Sequence, residues 1–245
     1  MTALLKGALV ELMPTFLGSL PNLIVFQYNP ETMTHTWTQP HPLADPGTES
    51  GNPLAVKGMP GESFSFTLSL DGDDDIARGG AVAGRLAQGT GVYARLAALE
   101  MLLYPTASSG SRLLGTASAA LSLGGAGFTT SPPSLSSADV TRTVPDSTVP
   151  VVLFVWGPGR IVPVRVTSLT VTEKLYDTAL NPTHADVALA LDVLTPEEIA
   201  GAIEASKVLG NVALTAYTYT LALRQALAVA DLADTASAVI GMRPL

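Results

Sequence analysis

Apolar and polar positions alternate most cleanly over FSFTLSL, where Phe64, Phe66, Leu68 and Leu70 share one face and Ser65, Thr67 and Ser69 share the other. A period of two is that of a strand, so this segment predicts a half-buried antiparallel β-strand. It ends at Asp71-Gly72, with three more aspartates behind. LIVFQY, Leu23 to Tyr28, predicts a short strand that turns at Asn29-Pro30, because the residue before a proline avoids the helical region. THTWT, Thr34 to Thr38, resumes the extended pattern. VVLFVW, Val151 to Trp156, is continuously apolar and predicts a strand buried on both faces, closed by Gly157-Pro158-Gly159. Val162 to Thr172 follows as its partner. The apolar phase there shifts near Ser168, with Val164 and Val166 before it and Leu169 and Val171 after, as a β-bulge would require. Val187 to Val193 alternates again.

Helical spacing occurs in three places. Val92, Leu96, Leu99 and Leu103 form one stripe within Gly91 to Tyr104, and Pro105 ends it. Thr195-Pro196-Glu197-Glu198 is a helix start: Thr caps, Pro takes the first helical position and Glu198 completes a capping box. That helix is expected to run to about Leu209 and stop at Gly210-Asn211, with a last helix from about Val212 to Ile240. His41 to Gly61 is rich in Pro and Gly and reads as loop. Thr106 to Pro150, rich in Ser, Thr, Ala, Gly and Pro, is too long for an ordinary loop and reads as an insertion, an arm or a disordered segment, ordered if at all by neighbours. The pattern therefore predicts an α+β, mainly β chain, with a β domain over 1–194 and a helical C-terminal extension over 195–245.

Composition narrows the function classes. The 245 residues carry 13 Lys plus Arg and 21 Asp plus Glu, a net charge of −8, which argues against a nucleic-acid backbone or an anionic membrane as the target. Only 14% of residues are charged, so a folded chain of this kind is expected to hide much of its surface against partners. There is no cysteine, hence no disulfide, thiolate metal site or cysteine nucleophile. Lys6 and the apolar run behind it do not form a secretion signal, since Glu11 and Pro14 interrupt it. Val212 to Ala230 is nearly long enough to span a bilayer but holds Arg224 inside, which favours a packed helix.

The search for chemistry is negative. His35, His41 and His184 fit no zinc spacing. Asp71, Asp73 and Asp75 begin a calcium-loop pattern that fails at Ile76 and Val82, where Gly and Glu belong. No phosphate-binding loop, dinucleotide fingerprint or nucleophile elbow is present, and Glu197-Glu198 suit a helix dipole without catalysis. No catalytic residue, cofactor or metal is expected, and the chain does not read as an enzyme.

Two segments taken together are specific: VFQYNPETMTHTW, Val25 to Trp37, and VLFVWGPGRIVPVRVTSLTVTEKLYDTALNPTHADVALALDV, Val152 to Val193. With FSFTLSLD between them, their order and spacing resemble the contractile injection system tube-protein family, the tube-initiator and baseplate components of phage-tail-like particles. The matching positions are Phe26, Tyr28, Asn29 and Pro30 in the first segment and Phe154, Trp156, Gly157, Asn181, Pro182 and Ala185 in the second. The resemblance covers roughly two thirds of the chain, without the low-complexity insertion. It implies a tail-tube-like domain of two packed, mostly antiparallel sheets, a β-barrel or sandwich, with a helix. Six copies would form a ring that continues the inner tube to the spike hub, with the inner tube protein, the spike protein and other baseplate subunits as partners. Assembly would be cytoplasmic, within a contractile particle. Some relatives carry a C-terminal lysin motif, whereas the last fifty or so residues here read as helices.

Two functions follow. One is a structural ring subunit, in which Phe64 seals the core while Ser65, Thr67 and Ser69 offer a small polar face to a lumen or a neighbour. Trp156 is then expected to be largely buried. The other is a free-standing, non-enzymatic β binding module that docks on a membrane or a partner through its C-terminal helix.

Overall fold

Alternating segments dominate the chain, and they meet edge to edge in one antiparallel sheet. The structure, a computed structural model, describes residues 5–12, 22–40, 56, 58–77, 83–104, 149–202 and 207–241. The loop expected from His41 and nearly all of the insertion after Thr106 lie outside the described residues. The strands are β1 (Ala8–Glu11), β2 (Leu23–Val25), β3 (Met33–Thr38), β4 (Gly61–Asp71), β5 (Val152–Val155), β6 (Ile161–Tyr176) and β7 (Pro182–Val193). Their order in the sheet is β2-β1-β5-β6-β7-β4-β3. The helices are α1 (Gly72–Ala77), α2 (Ala83–Thr90), α3 (Tyr93–Glu100), α4 (Pro196–Ala202) and α5 (Lys207–Gly241). The α+β, mainly β class is therefore observed. Among the described residues the strands form one continuous antiparallel sheet, and it curls on itself as in the barrel form. Five strand spacings of about 4.8 Å separate β2 from β4 along a flat sheet, yet the ring of Phe26, just after β2, lies 5.6 Å from that of Phe66 on β4.

The inner face of the curl holds the main core. Phe64, Phe66, Leu68 and Leu70 of β4 meet Ala185, Val187, Leu189 and Leu191 of β7, Val152 and Phe154 of β5, and Val92, Leu96, Leu99 and Leu102 from α3 and its flanks. The expected stripe is thus seen, with Leu102 fully buried and Leu103 packed at its margin. The bulge is also present: the β6–β7 register slips between Val166 and Ser168, which keeps Leu169 and Val171 turned to the core. Val152 and Phe154 are buried in this core, while Leu153 points to a smaller cluster of Leu12, Ile199, Leu209 and Ala213.

Trp156, expected to be largely buried, lies just beyond β5 and packs against the core at its rim, 6.1 Å from the Phe154 ring and 6.4 Å from that of Phe26, where the chain turns at Gly157 (φ +70°). Two expectations are corrected. The first C-terminal helix is described to Ala202, and the helix that follows, α5, does not stop at Gly210-Asn211 but runs straight through it. Leu209 and Ala213 are buried on either side of that pair, so packing overrides its helix-breaking preference. Val212 to Ala230 is packed only as far as Arg224; Gln225 to Thr235 are exposed throughout. The capping box is as expected: Thr195 N–H donates to Glu198 Oε2 (2.8 Å), and Glu198 N–H donates to Thr195 Oγ1 (3.4 Å).

Candidate functional site

Across its middle the outer face of β3, β4, β7 and β6 is built from small side chains, with the exposed Asp192 and Arg165 beside Ser63 at one end. Thr34 and Thr36 stand beside Ser65 and Ser63; Ser65 and Thr67 stand beside Ala190 and Ala188; these pair in turn with Ser168 and Thr170. Ser65, Thr67, Ala188, Ser168 and Thr170 are exposed, and Ser69 is half-buried. Phe64 is 1% exposed and belongs to the core, so of the four candidate interface residues only Ser65, Thr67 and Ser69 stand on an accessible face. The face follows from alternation: each inward Phe, Leu or Val fixes an outward Ser, Thr or Ala. Toward one end Asp186 pairs with the Lys174 ammonium, and His184 Nε2 lies 3.4 Å from Ser69 Oγ.

Two edges flank this four-stranded patch. β3 pairs only with β4, so its outer edge has no strand partner among the described residues. β6 pairs with β5 only from Ile161 to Val164, so its long remainder toward Tyr176 presents another such edge. β4 itself lies inside the sheet, between β7 and β3, and offers no edge over Phe64–Phe66. Beyond Phe66 the buried Gln27 side chain fills the gap. Its Nε2 donates to Asp71 O (2.7 Å), and its Oε1 accepts from Asp71 N–H (2.9 Å), as a neighbouring strand would.

A polar cluster closes one end of the core. Glu62, whose side chain is 7% exposed, accepts two hydrogen bonds from the Arg224 guanidinium, at 2.8 and 2.5 Å, and contacts His35 Nε2 at 2.6 Å. The His35 ring stacks on Phe64 (4.1 Å) and on Trp37 (3.5 Å), Arg224 lies 5.8 Å over Trp37, and Arg160 lies 5.3 Å over Phe64. Burial pushes the Glu62 carboxyl up, but the Arg224 hydrogen bonds and charge, with His35, outweigh it and hold the group below the usual glutamate value. Burial lowers His35, more than Glu62 raises it, so the imidazole is held neutral and its Nε2–H can donate. Both groups release protons more readily in the folded chain than in the unfolded one. Their contribution is complete above the unfolded value of His35, near 6.5, and is lost as pH falls through the folded values. Stability should decline below about pH 6.5 and more steeply below the usual glutamate range. In His35→Gln the upper part of that decline should vanish from denaturant midpoints measured across pH.

The remaining motif positions divide into core and corners. Phe26, Phe154, Pro182 and Ala185 are buried. Asn29 ties the corner before Pro30 to the N-terminal segment: its Oδ1 accepts from Gly7 N–H (2.9 Å) and its Nδ2 donates to Leu5 O (2.8 Å). Tyr28 donates its hydroxyl to Asp74. Asn181 N–H donates to Asp177 Oδ1 (2.8 Å) and its side chain to Asp177 Oδ2 (2.9 Å), setting the β6–β7 turn. At Gly91 (φ +56°) a Cβ would sit 2.1 Å from Pro182 O, which itself accepts from Val92 N–H; only glycine allows α3 to start there.

The candidate chemistry is consumed in structure. Asp75 binds Arg95 through two hydrogen bonds (2.6 and 2.9 Å), and Asp71 Oδ1 accepts from Asp73 N–H (2.9 Å), so the acidic run starts a short helix. His41 lies outside the described residues. Among the described residues no group of three His, Asp or Glu could hold a metal ion, and no helix is long and apolar enough to cross a membrane. Sequence reasoning missed Glu62, Gln27 and Gly91. Arg224 had a signal, since a single charge inside a long apolar helix requires a buried carboxylate somewhere in the fold. No protein-family model matches the chain, and no curated protein matches it at a significant level.

Proposed function

We propose that the chain is a structural ring subunit of a contractile injection system baseplate, a tube initiator or adaptor between the inner tube and the spike hub. The observation that carries this reading is the four-stranded patch: small hydroxyl and methyl side chains on its open face, a free strand edge on each side, and a continuous apolar core behind. Pairing the β3 edge of one copy with the β6 edge of the next extends the sheet around a ring and removes both open edges. The Ser/Thr/Ala face then lines the lumen, where a wet wall without large apolar side chains lets a tube or spike element pass without sticking. Six copies, cytoplasmic assembly and the inner-tube, spike and baseplate partners come with the resemblance. No catalysis is needed; the ring acts as a template. The exposed half of α5 favours a second reading, a binding module that docks through that helix.

Successive residues of a strand direct their N–H groups to opposite edges, so Thr170→Pro and Val171→Pro separate the two roles of β6. One variant should lose a β7 ladder bond and unfold. The other should stay folded, with unchanged circular dichroism, yet give no rings by negative-stain microscopy and no complete tubes in the particle. Rings of normal yield from both would refute the edge-paired assembly.

A further inference from the structure

Contacts along α5 run in the order of the strands. Asn211 and Val212 lie by Leu153 of β5; Tyr219 donates its hydroxyl to Pro158 O (3.0 Å); Thr220 Oγ1 accepts from Ile161 N–H (3.1 Å) and donates to Ile161 O (2.7 Å); Arg224 reaches Glu62 of β4 and Trp37 of β3. The helix therefore crosses the strand ends from the β5–β6 side to the β3 edge and continues to Gly241. Beyond Arg224 it advances about 25 Å at 1.5 Å per residue. Its side chains from Gln225 to Thr235 are exposed: Leu227, Val229 and Leu232 are 61%, 67% and 68% exposed. Gln225 to Ala230 carries no charged residue. Earlier on the same helix, on the β5–β6 side, lies an open apolar groove of about 600 Å³, lined by Leu153, Ile161, Val212, Thr215, Ala216 and Tyr219, again without a charge.

We propose that the overhang of each α5 docks in the β5–α5 groove of the next copy of this chain, as a strap around the ring. The inference rests on the edge-paired ring proposed above. The groove and the overhang of one chain cannot meet, because they lie on one continuous helix. Rotation about a tube axis keeps every copy at the same height. A helix that leaves over the β3 edge at Glu62 and Trp37, in the row of Val164, therefore reaches the neighbour's β6 within three residues of Ile161, where that neighbour's groove begins. The next strands of the neighbour add only about 5 Å each, within reach of the overhang. Area argues the same way. A single strand edge such as six-residue β3 falls well short of the roughly 800 Å² per partner of a stable interface, and the overhang supplies apolar surface where it is missing.

The chain lacks cysteine, so Val212→Cys with Leu232→Cys in the full-length protein gives a clean test. The two positions are about 30 Å apart on one helix, too far for a bridge within a chain. A short bis-maleimide should produce a ladder that ends at one closed ring, and neither single variant should give more than dimers. Val229→Asp with Leu232→Asp, at exposed positions, should keep the unfolding midpoint and lower self-association measured by light scattering at least tenfold. Rings that survive the aspartates and do not cross-link overturn the strap while leaving the ring intact. A wild-type chain that stays monomeric overturns both. An open cross-linked series that never closes supports the groove contact and overturns the ring. Cross-linking of Leu232→Cys to itself in preference to the pair shows a two-fold helix contact and overturns the head-to-tail strap. So does flotation of the wild type, lost in the aspartate variant, with phosphatidylcholine–phosphatidylglycerol vesicles in place of self-association.

Discussion

Arg224→Ala is expected to destabilise the chain by about 3 kcal/mol, the low end of the range for breaking a buried ion pair, since a third of the guanidinium side chain remains in contact with solvent. The effect does not come from the arginine alone. Its removal leaves Glu62, 7% exposed, with one neutral imidazole as partner in place of a cation. The carboxylate must then bind a proton or draw in water, and either disrupts the stack of His35 on Phe64 and Trp37. The double variant Glu62→Leu with Arg224→Met separates the cost of an orphaned charge from the value of the pair. With both charges gone and the volume kept, stability should return to within about 1 kcal/mol of the wild type. Urea midpoints of the two single variants and the double variant check this. Equal losses in Arg224→Ala and in the double variant would show that the guanidinium's own contacts with Glu62 and Trp37, and not an orphaned carboxylate, tie α5 to the sheet.

The parts of the fold that were legible share one property: a single local signal decided them. β4 alternates because one face is core and the other open, and the bulge in β6 is visible as a change of apolar phase at Ser168. The capping box at Thr195 needs four residues only. What was not legible depends on distant partners. β1 looks like an interrupted apolar run because Glu11 sits in it; the glutamate is buried and tolerated through Asn22, whose Nδ2 donates to Glu11 Oε2 at 3.1 Å. The acidic run after Asp71 forms a helix because Asp71 Oδ1 accepts from the Asp73 N–H and Arg95 pairs with Asp75. The resemblance pointed to packed sheets, as a barrel or a sandwich, and the described residues form one sheet that curls; which strands join is set by edge pairings that no residue pattern encodes. The outward side of Ser65, Thr67 and Ser69 follows from the alternation, but the free edges beside it belong to β3 and β6, which only the pairing registers reveal.

Phe154→Ala should have a still larger effect than the loss of Arg224, about 3–5 kcal/mol, the cost of emptying an aromatic site in a core. Phe154 is 0% exposed and sits where the curled sheet meets itself. Its ring centroid is 5.3 Å from that of Phe64, 5.6 Å from Phe66 and 6.5 Å from Phe26, so one side chain joins β5 to β4 and to the segment after β2. The strands on either side are held by backbone ladders and cannot collapse into the space without breaking the β5–β6 and β4–β7 registers. The neighbouring Trp156 is the control. It is larger, but it lies at the rim and keeps part of its surface in water, so Trp156→Ala removes less buried area and should cost clearly less than Phe154→Ala. Phe154→Leu should recover more than half of the loss, because it refills most of the volume. Denaturant unfolding of the three variants ranks them. A Trp156→Ala cost equal to or above that of Phe154→Ala would place the centre of the core at the rim, and the curl that brings β5 onto β4 would have to be abandoned.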